Sequence, residues 1–170
     1  RRSARQDAEG NLVPLDEQDR SRWDRDQIEQ GRQWLLRAMA HPGPGPYTLQ
    51  AAIAAAHAEP ADPAATDWDD IAALYGLLYQ QWPTPVVALN RAVAIAMRDS
   101  APRGLALLDE LAGEKALQGY HLYHAARADL LRRNGDTSQA RIAYQQALTL
   151  ARQEPERRFL QKRLDQLPDA

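Results

Sequence analysis

Ala128-Asp-Leu-Leu131-Arg-Arg-Asn-Gly135-Asp-Thr-Ser-Gln-Ala140-Arg-Ile-Ala-Tyr144-Gln-Gln-Ala147 decides the fold. Ala128, Ala140 and Ala147 are small residues placed where two helices must touch. Gly135 marks a turn within Asn134-Gly135-Asp136, and Tyr144 puts an aromatic on the second helix. The same frame moved back 36 positions falls on Ala92, Ile95, Asp99, Gly104, Leu108 and Leu111. A helix pair that recurs in this way is a stacking unit. Stacked units make surfaces that bind other proteins, which points away from catalysis.

The spacing is that of a tetratricopeptide-like repeat. Working outward, the first helix is expected over about Asp24–Ala40, with Ile28, Gly31, Leu35, Ala38 and Met39 as its apolar face. His41-Pro42-Gly43-Pro44-Gly45-Pro46 stops it, and Pro46 suits the first turn of the next helix, which carries Leu49, Ala52, Ile53 and Ala56. Thr66 reads as an N-cap with Asp69 three residues on. Behind it Trp68, Ile71, Tyr75, Leu78 and Trp82 form the strongest helical stripe. Thr84 and Pro85 open a fourth helix bearing Val86, Leu89, Val93, Ala96 and Met97. A fifth follows Ser100 with Leu105, Leu108 and Leu111, a sixth covers about Leu117–Arg133, and a seventh about Thr137–Arg152. The last starts near Pro155 with Phe159, Leu160, Leu164 and Leu167. The expectation is an all-α, tetratricopeptide-like stack of about eight antiparallel helices behind an extended N-terminal segment. Residues 1–22 are expected to be a linker or tag segment, with a turn at Asp7–Asn11 and an extended Leu12-Val13-Pro14-Leu15. Residues 23–170 are expected to form the helical domain.

The chain has 170 residues, enough for one domain with a real core. There is no cysteine, which removes disulfides, zinc–thiolate sites and cysteine nucleophiles and fits a reducing, cytoplasmic setting. Net charge is −2 and the sequence pI is about 6.1, so the basic field of an autonomous DNA- or RNA-binding domain is absent. No apolar run has the length of a membrane span. The chain starts at Arg1, and the sequence reads as a piece of a longer protein.

Glu17-Gln18-Asp19-Arg20-Ser21-Arg22-Trp23-Asp24 is a dense polar run ending in an aromatic. One reading is a helix start, with acids at the positive end of the dipole and Trp23 as a packing anchor. The other is a docking or tethering element that pins the N-terminal segment to the repeat body. Asn90 falls on the Val86–Val93–Met97 stripe, where an unpaired buried amide would cost about 1–3 kcal/mol. It is expected to bind neighbouring backbone or to line a groove that receives a peptide, with Arg91 beside it pairing with an acid. His121 and His124 are spaced i and i+3 among Tyr120, Leu122 and Tyr123, a packing pattern, whereas a helical zinc motif uses i and i+4. His41 and His57 sit at helix ends. Arg157, Arg158, Lys162 and Arg163 make the last helix basic, as a solvated face often is. No glycine-rich phosphate loop, serine elbow or metal spacing is present, and Asp69-Asp70 sits where a helix start wants acids. No enzyme activity, cofactor or metal is expected.

In order along the chain, Glu17–Asp24, Gly43-Pro-Gly-Pro-Tyr-Thr-Leu-Gln-Ala-Ala-Ile53, Thr66-Asp-Trp68, Pro85-Val-Val-Ala-Leu-Asn-Arg-Ala-Val93, Gly119-Tyr-His-Leu-Tyr-His-Ala-Ala-Arg-Ala-Asp129 and Glu156-Arg-Arg-Phe-Leu160 carry a family resemblance. The chain resembles the tetratricopeptide-like C-terminal extension of a group of extracytoplasmic-function (ECF) RNA polymerase sigma factors. One position departs: the family's tag reads Asp-Gln-Asp-Arg, and Glu17 replaces its first Asp. The resemblance implies a regulatory, protein-contacting module acting on transcription initiation. Its implied partners are the sigma domains of the same chain, RNA polymerase and a small YCII-like protein. DNA would be reached only through sigma domains lying upstream. The tag residues Glu17, Gln18, Asp19 and Arg20 would contact the sigma domains or the body of the extension. Two rivals remain. A free-standing peptide-binding scaffold would use a groove near Asn90. An enzyme would use Asp19 or His124 in a deep pocket with strongly shifted pKa values.

Overall fold

Asp24, Asp67, Thr84 and Asp136 each accept, through a side-chain oxygen, from the backbone N–H three residues ahead, and a helix starts behind each of them. The computed structural model describes residues 4–168. Among them run nine helices: α1 (Arg25–Met39), α2 (Pro46–Ala58), α3 (Trp68–Gln81), α4 (Pro85–Arg98), α5 (Ala101–Glu110), α6 (Lys115–Gln118), α7 (His121–Arg133), α8 (Thr137–Leu150) and α9 (Glu154–Asp165). The fold is all-α, a stack of helices in which α1 to α5 pack in order, α5 packs on α7 across the short α6, and α7, α8 and α9 follow in order. The only β pairing among the described residues is an isolated bridge between Gln6 and Leu12.

The deciding stretch is the hairpin α7–α8. Gly135 has φ of 81°, which a Cβ would strain. Its N–H donates to the Arg132 carbonyl at 3.1 Å, and the Asp136 N–H donates to Leu131 at 3.0 Å. That pair of bonds is the Schellman closure of a helix end. Asp136 then caps α8 through Gln139 N–H at 3.1 Å. Ala128, Ala140, Tyr144 and Ala147 are all buried in the seam. In the earlier copy, α4 and α5 meet at Gly104. A Cβ there would lie 2.3 Å from the Ala96 Cβ and 3.0 Å from both the Ala92 carbonyl oxygen and Leu130 Cδ1. This glycine is where α4, α5 and α7 converge.

Helix α4 joins two cores. On one side Leu49, Ile53, Ile71, Leu78, Val87 and Ile95 pack together across α2, α3 and α4. On the other, Leu89, Leu108, Leu117, Leu131, Tyr144 and Leu160 gather α4 to α9. Each fully buried Leu or Ile contributes about 1.5–3 kcal/mol by leaving water.

Four local expectations change. The sixth helix is broken in two by Gly119-Tyr120, so α6 is a single short turn before α7. The cap of α3 is Asp67, which accepts from Asp70 N–H at 2.9 Å, while the Thr66 hydroxyl donates to the Pro63 carbonyl at 2.6 Å. Helix α5 ends at Glu110, leaving Leu111 beyond its last residue. Helix α1 buries no residue fully, and Met39 on its expected inner face is 42% exposed. It is an edge helix whose main helical neighbour is α2, so Ile28, Leu35 and Ala38 reach only half-burial.

The N-terminal segment is folded onto this body. Asp7 accepts from the N–H groups of Glu9 and Asn11 and from the Asn11 amide, and Gly10 turns the chain at φ of 77°. Val13 N–H donates to the Arg5 carbonyl at 2.9 Å, which closes a small loop. Ala4, Trp23 and Ala58 form a third apolar cluster with Leu15 and Ile28 beside it.

Candidate functional site

Residues 14–20, the loop between α2 and α3, and helices α4, α7, α8 and α9 enclose a cleft of about 300 Å³. Leu15, Trp68, Val93, Met97 and Phe159 supply apolar walls, and Arg20, Asp129, Arg133, Tyr144 and Arg163 supply the polar ones. The N-terminal segment contributes Pro14, Leu15, Asp16 and Arg20 to its lining.

Asp129 and Arg133 occupy i and i+4 on α7, with Arg132 at i+3, so both cations reach one carboxylate. Arg132 binds Asp129 at 2.7 Å and Arg133 binds it at 2.6 Å. Burial would raise the Asp129 carboxyl, but the hydrogen bonds from both arginines outweigh it and hold the group below the usual carboxylate range. Burial pushes the Tyr144 hydroxyl up, and the charge of Asp129 adds to that shift. Arg133 also reaches Asp16 of the N-terminal segment at 3.9 Å.

The tag residues divide in role. Glu17 is paired with Arg163 on α9. Gln18 donates to the Val13 carbonyl at 3.1 Å. Asp19 caps a short 3-10 turn, accepting from the Ser21 N–H at 3.0 Å and its hydroxyl at 2.6 Å, and those bonds lower its pKa. Arg20 is only 5% exposed. Its guanidinium donates to the Pro60 carbonyl and stacks on the Trp23 ring at 4.9 Å, and burial lowers its pKa. Trp23 is buried in the third cluster. The tag thus ties the N-terminal segment to the α2–α3 loop at one end and to the last helix at the other. Arg158 adds a bond to the Gly10 carbonyl at 3.3 Å.

The basic face expected on α9 is largely engaged within the chain. Arg157 donates to the carbonyls of Leu148 and Ala151 at the end of α8, at 2.8 and 3.2 Å.

Asn90 and Arg91 stand elsewhere. Asn90 is exposed on α4 and does not line the cleft, so water serves its amide and the expected desolvation cost does not arise. The reason is that Val86, the start of the expected stripe, is itself 40% exposed. Arg91 lies over the Tyr79 ring at 5.9 Å, where an acid was expected. His124 is buried and its Nε2 is bonded to the Gln118 carbonyl at 2.9 Å, while His121 Nε2 lies 3.3 Å from Glu156. Asp19 is exposed, and neither Asp19 nor His124 lines this cleft. Among the described residues no group of three or more His, Cys, Asp or Glu side chains is placed to hold a metal ion.

Sequence reasoning missed Met97, Asp129, Arg133, Phe159 and Arg163 as cleft residues. The Asp129–Arg132–Arg133 spacing was a readable signal of an intrahelical ion cluster. The approach of the N-terminal segment to α9 carries no local sequence signal.

A second feature lies on the first helix. Trp34, Leu36 and Met39 are 68%, 55% and 42% exposed. Tyr47 on α2 is 78% exposed, and its ring meets Trp82 edge to face at 6.2 Å.

Residues 1–39 match a family described only as a family of unknown function, DUF6596. The whole chain is similar to "Uncharacterized protein R00370" of Rhizobium meliloti (strain 1021). The two are 43% identical over 167 residues, covering 98% of this chain and 39% of the relative. The chain therefore spans about two fifths of the length of the curated relative it matches. No solved structure matches it. No helix among the described residues is long and apolar enough to cross a membrane.

Proposed function

We propose that this chain is a protein-contact module of a longer regulator of transcription initiation, of the kind the resemblance to ECF sigma-factor extensions implies. The observation that carries the reading is α1. A terminal helix of a repeat stack normally turns a polar face to water. Here α1 buries no residue fully and leaves Trp34, Leu36 and Met39 exposed, and α2 leaves Tyr47 exposed. Exposed aromatics and methionine are typical of the centre of a protein interface. Similarity to a protein much longer than this chain supports a module within a larger molecule.

In this reading the contacted partner is the sigma region of the same protein or RNA polymerase, and a YCII-like protein is a further partner. DNA is contacted only by sigma domains, and the module works in the cytoplasm. The tag acts inside the module: Glu17, Arg20 and Trp23 hold the N-terminal segment in place, and through it the entry of the chain into α1. The module contributes no catalytic group of its own. The test is transcription from a cognate promoter by the full-length protein and by a version truncated before Arg1. Loss or gain of activity on truncation supports the reading. Equal activity rejects it and favours the free-standing peptide-binding scaffold.

A further inference from the structure

We infer that the cleft is a recognition site for a peptide segment with an apolar run followed by two acids, and that residues 4–18 occupy it in cis. A partner segment of that chemistry, with an aromatic side chain where this chain has Leu15, displaces them. The inference stands apart from the role proposed above, since it rests on the cleft and the segment alone.

The first observation is how the segment is held. Its backbone bonds close on itself: Asp7 N–H to Asn11, Gly10 to Asp7, Val13 to Arg5 and Glu17 to Pro14. Among the described residues no backbone–backbone bond joins residues 5–17 to a helix. The polar ties to the helical body each involve a side chain. Arg158 of α9 donates to the Gly10 carbonyl, Arg163 of α9 is paired with Glu17, and Arg133 of α7 lies 3.9 Å from Asp16. Ala4 rests in the cluster of Trp23 and Ala58. A piece that satisfies its own backbone and meets its neighbour through side chains docks as a separate ligand would.

The second observation is charge. Val13-Pro14-Leu15 is followed by Asp16-Glu17, and these two acids meet arginines from two different helices. Complementary charge of this kind fixes register and selects the partner. Both arginines are held from within the body as well: Arg133 bonds Asp129 at 2.6 Å, and Arg163 lies over the Phe159 ring at 5.2 Å. The site therefore keeps its shape when the segment leaves. Asp16 and Glu17 are 60% and 47% exposed, so their pairs hold the segment weakly, and its release needs less than unfolding of the body.

The third observation is fit. The segment leaves open space on both sides. Pro14, Leu15 and Asp16 border the cleft of about 300 Å³, while Leu12, Val13 and Glu17 border a second cavity of about 420 Å³. Phe159 and Arg163 line both. The space beside Leu15 is walled by Trp68, Val93 and Met97, so an aromatic in the place of Leu15 would bury more apolar surface there.

The test is calorimetric titration with a synthetic peptide of residues 4–18. The titrated proteins are the whole parent chain and its Asp16→Lys/Glu17→Lys variant, in which like charges repel the segment from Arg133 and Arg163. Hydrogen exchange should show residues 4–18 of the variant losing protection while the helices keep theirs. The variant should bind the peptide one-to-one and at least about ten-fold more tightly than the parent, whose own segment competes at high effective concentration. A peptide carrying Asp16→Lys/Glu17→Lys should bind the variant at least about ten-fold more weakly than the unaltered peptide, and a Leu15→Trp peptide at least about three-fold more tightly. If circular dichroism shows that the variant does not fold, the parent chain decides, and the Leu15→Trp peptide should bind it more tightly than the unaltered peptide. Any of five results would overturn the assignment: a segment that stays protected in the variant, no saturable binding to the variant, equal binding to parent and variant, indifference to the lysine exchange, or a Leu15→Trp peptide that binds no more tightly than the unaltered one.

Discussion

Replacing Gly104 by alanine sets two known effects against each other at one atom. An alanine in a helix interior is favoured over glycine by about 1 kcal/mol. Against that, the new Cβ would stand 2.3 Å from the Ala96 Cβ, where ordinary contact begins near 3.4 Å, a shortfall of about 1.1 Å. Both neighbours at 3.0 Å, the Ala92 carbonyl and Leu130 Cδ1, block the other directions of escape. Helix α5 must therefore move away from α4. Overpacking of this kind costs about 1–3 kcal/mol, and the double blockage places it at the upper end. The net loss is about 2 kcal/mol, equivalent to a fall in Tm of roughly 4–8 °C for a chain of this size. Gly76 on α3 is the matched control, since a Cβ there meets nothing within 4 Å. Gly76→Ala should raise stability by up to about 1 kcal/mol. Urea unfolding followed by circular dichroism gives both numbers. A Gly104→Ala protein as stable as the parent would refute the close α4–α5 approach, and with it the packing of the earlier repeat.

Trp23→Ala removes the largest member of the third cluster and should cost about 3 kcal/mol; hydrogen exchange should show residues 4–22 losing protection before the helical body does. Uniform protection along the chain would show that the segment is not held by Trp23. The Asp129 carboxyl sits below its ordinary range in the folded state. Its stabilisation is therefore complete above the unfolded value, about 3.9, and is lost as pH falls through the lower folded value. Asp129→Asn should lower stability at neutral pH and flatten the loss of stability below about pH 4; superimposable acid-unfolding curves would contradict this. Glu17→Gln breaks an ion pair whose carboxylate is 47% exposed, so unfolding should shift by no more than about 1 kcal/mol and by less in high salt. A larger, salt-independent shift would mean that Glu17 has a further buried partner.

Turn chemistry was the most legible level of the sequence. Asn134-Gly135-Asp136 names its own closure, because a positive φ wants glycine and the next helix wants an acid at its cap. Thr84-Pro85 is equally explicit. The break at Gly119-Tyr120 was not legible, since no proline or side-chain cap marks it, and Tyr120 precedes α7 without a side-chain capping bond. Helix faces were readable where polar and apolar residues alternate with the helical period, as in Trp68–Leu78. They were not in α4, which is apolar on most of its circumference, so Asn90 was assigned inward by a stripe whose first member faces water. The tag was visible as a dense polar run, but its partners lie far away in sequence. Glu17 to Arg163 and Arg158 to Gly10 are contacts that no local pattern encodes. The cleft is likewise assembled from elements far apart in sequence, the N-terminal segment, α4, α7, α8 and α9, which is why its lining was missed.

The proposed role turns on the exposed surface of α1. The direct measurement is promoter-dependent transcription by the full-length protein carrying Trp34→Glu and Leu36→Glu, beside the unaltered protein. Both side chains are exposed, so the helical fold and Tm should hold within a few degrees. Transcription should change clearly with that fold intact. Transcription equal to the parent's, from a double variant that melts as the parent does, would contradict it.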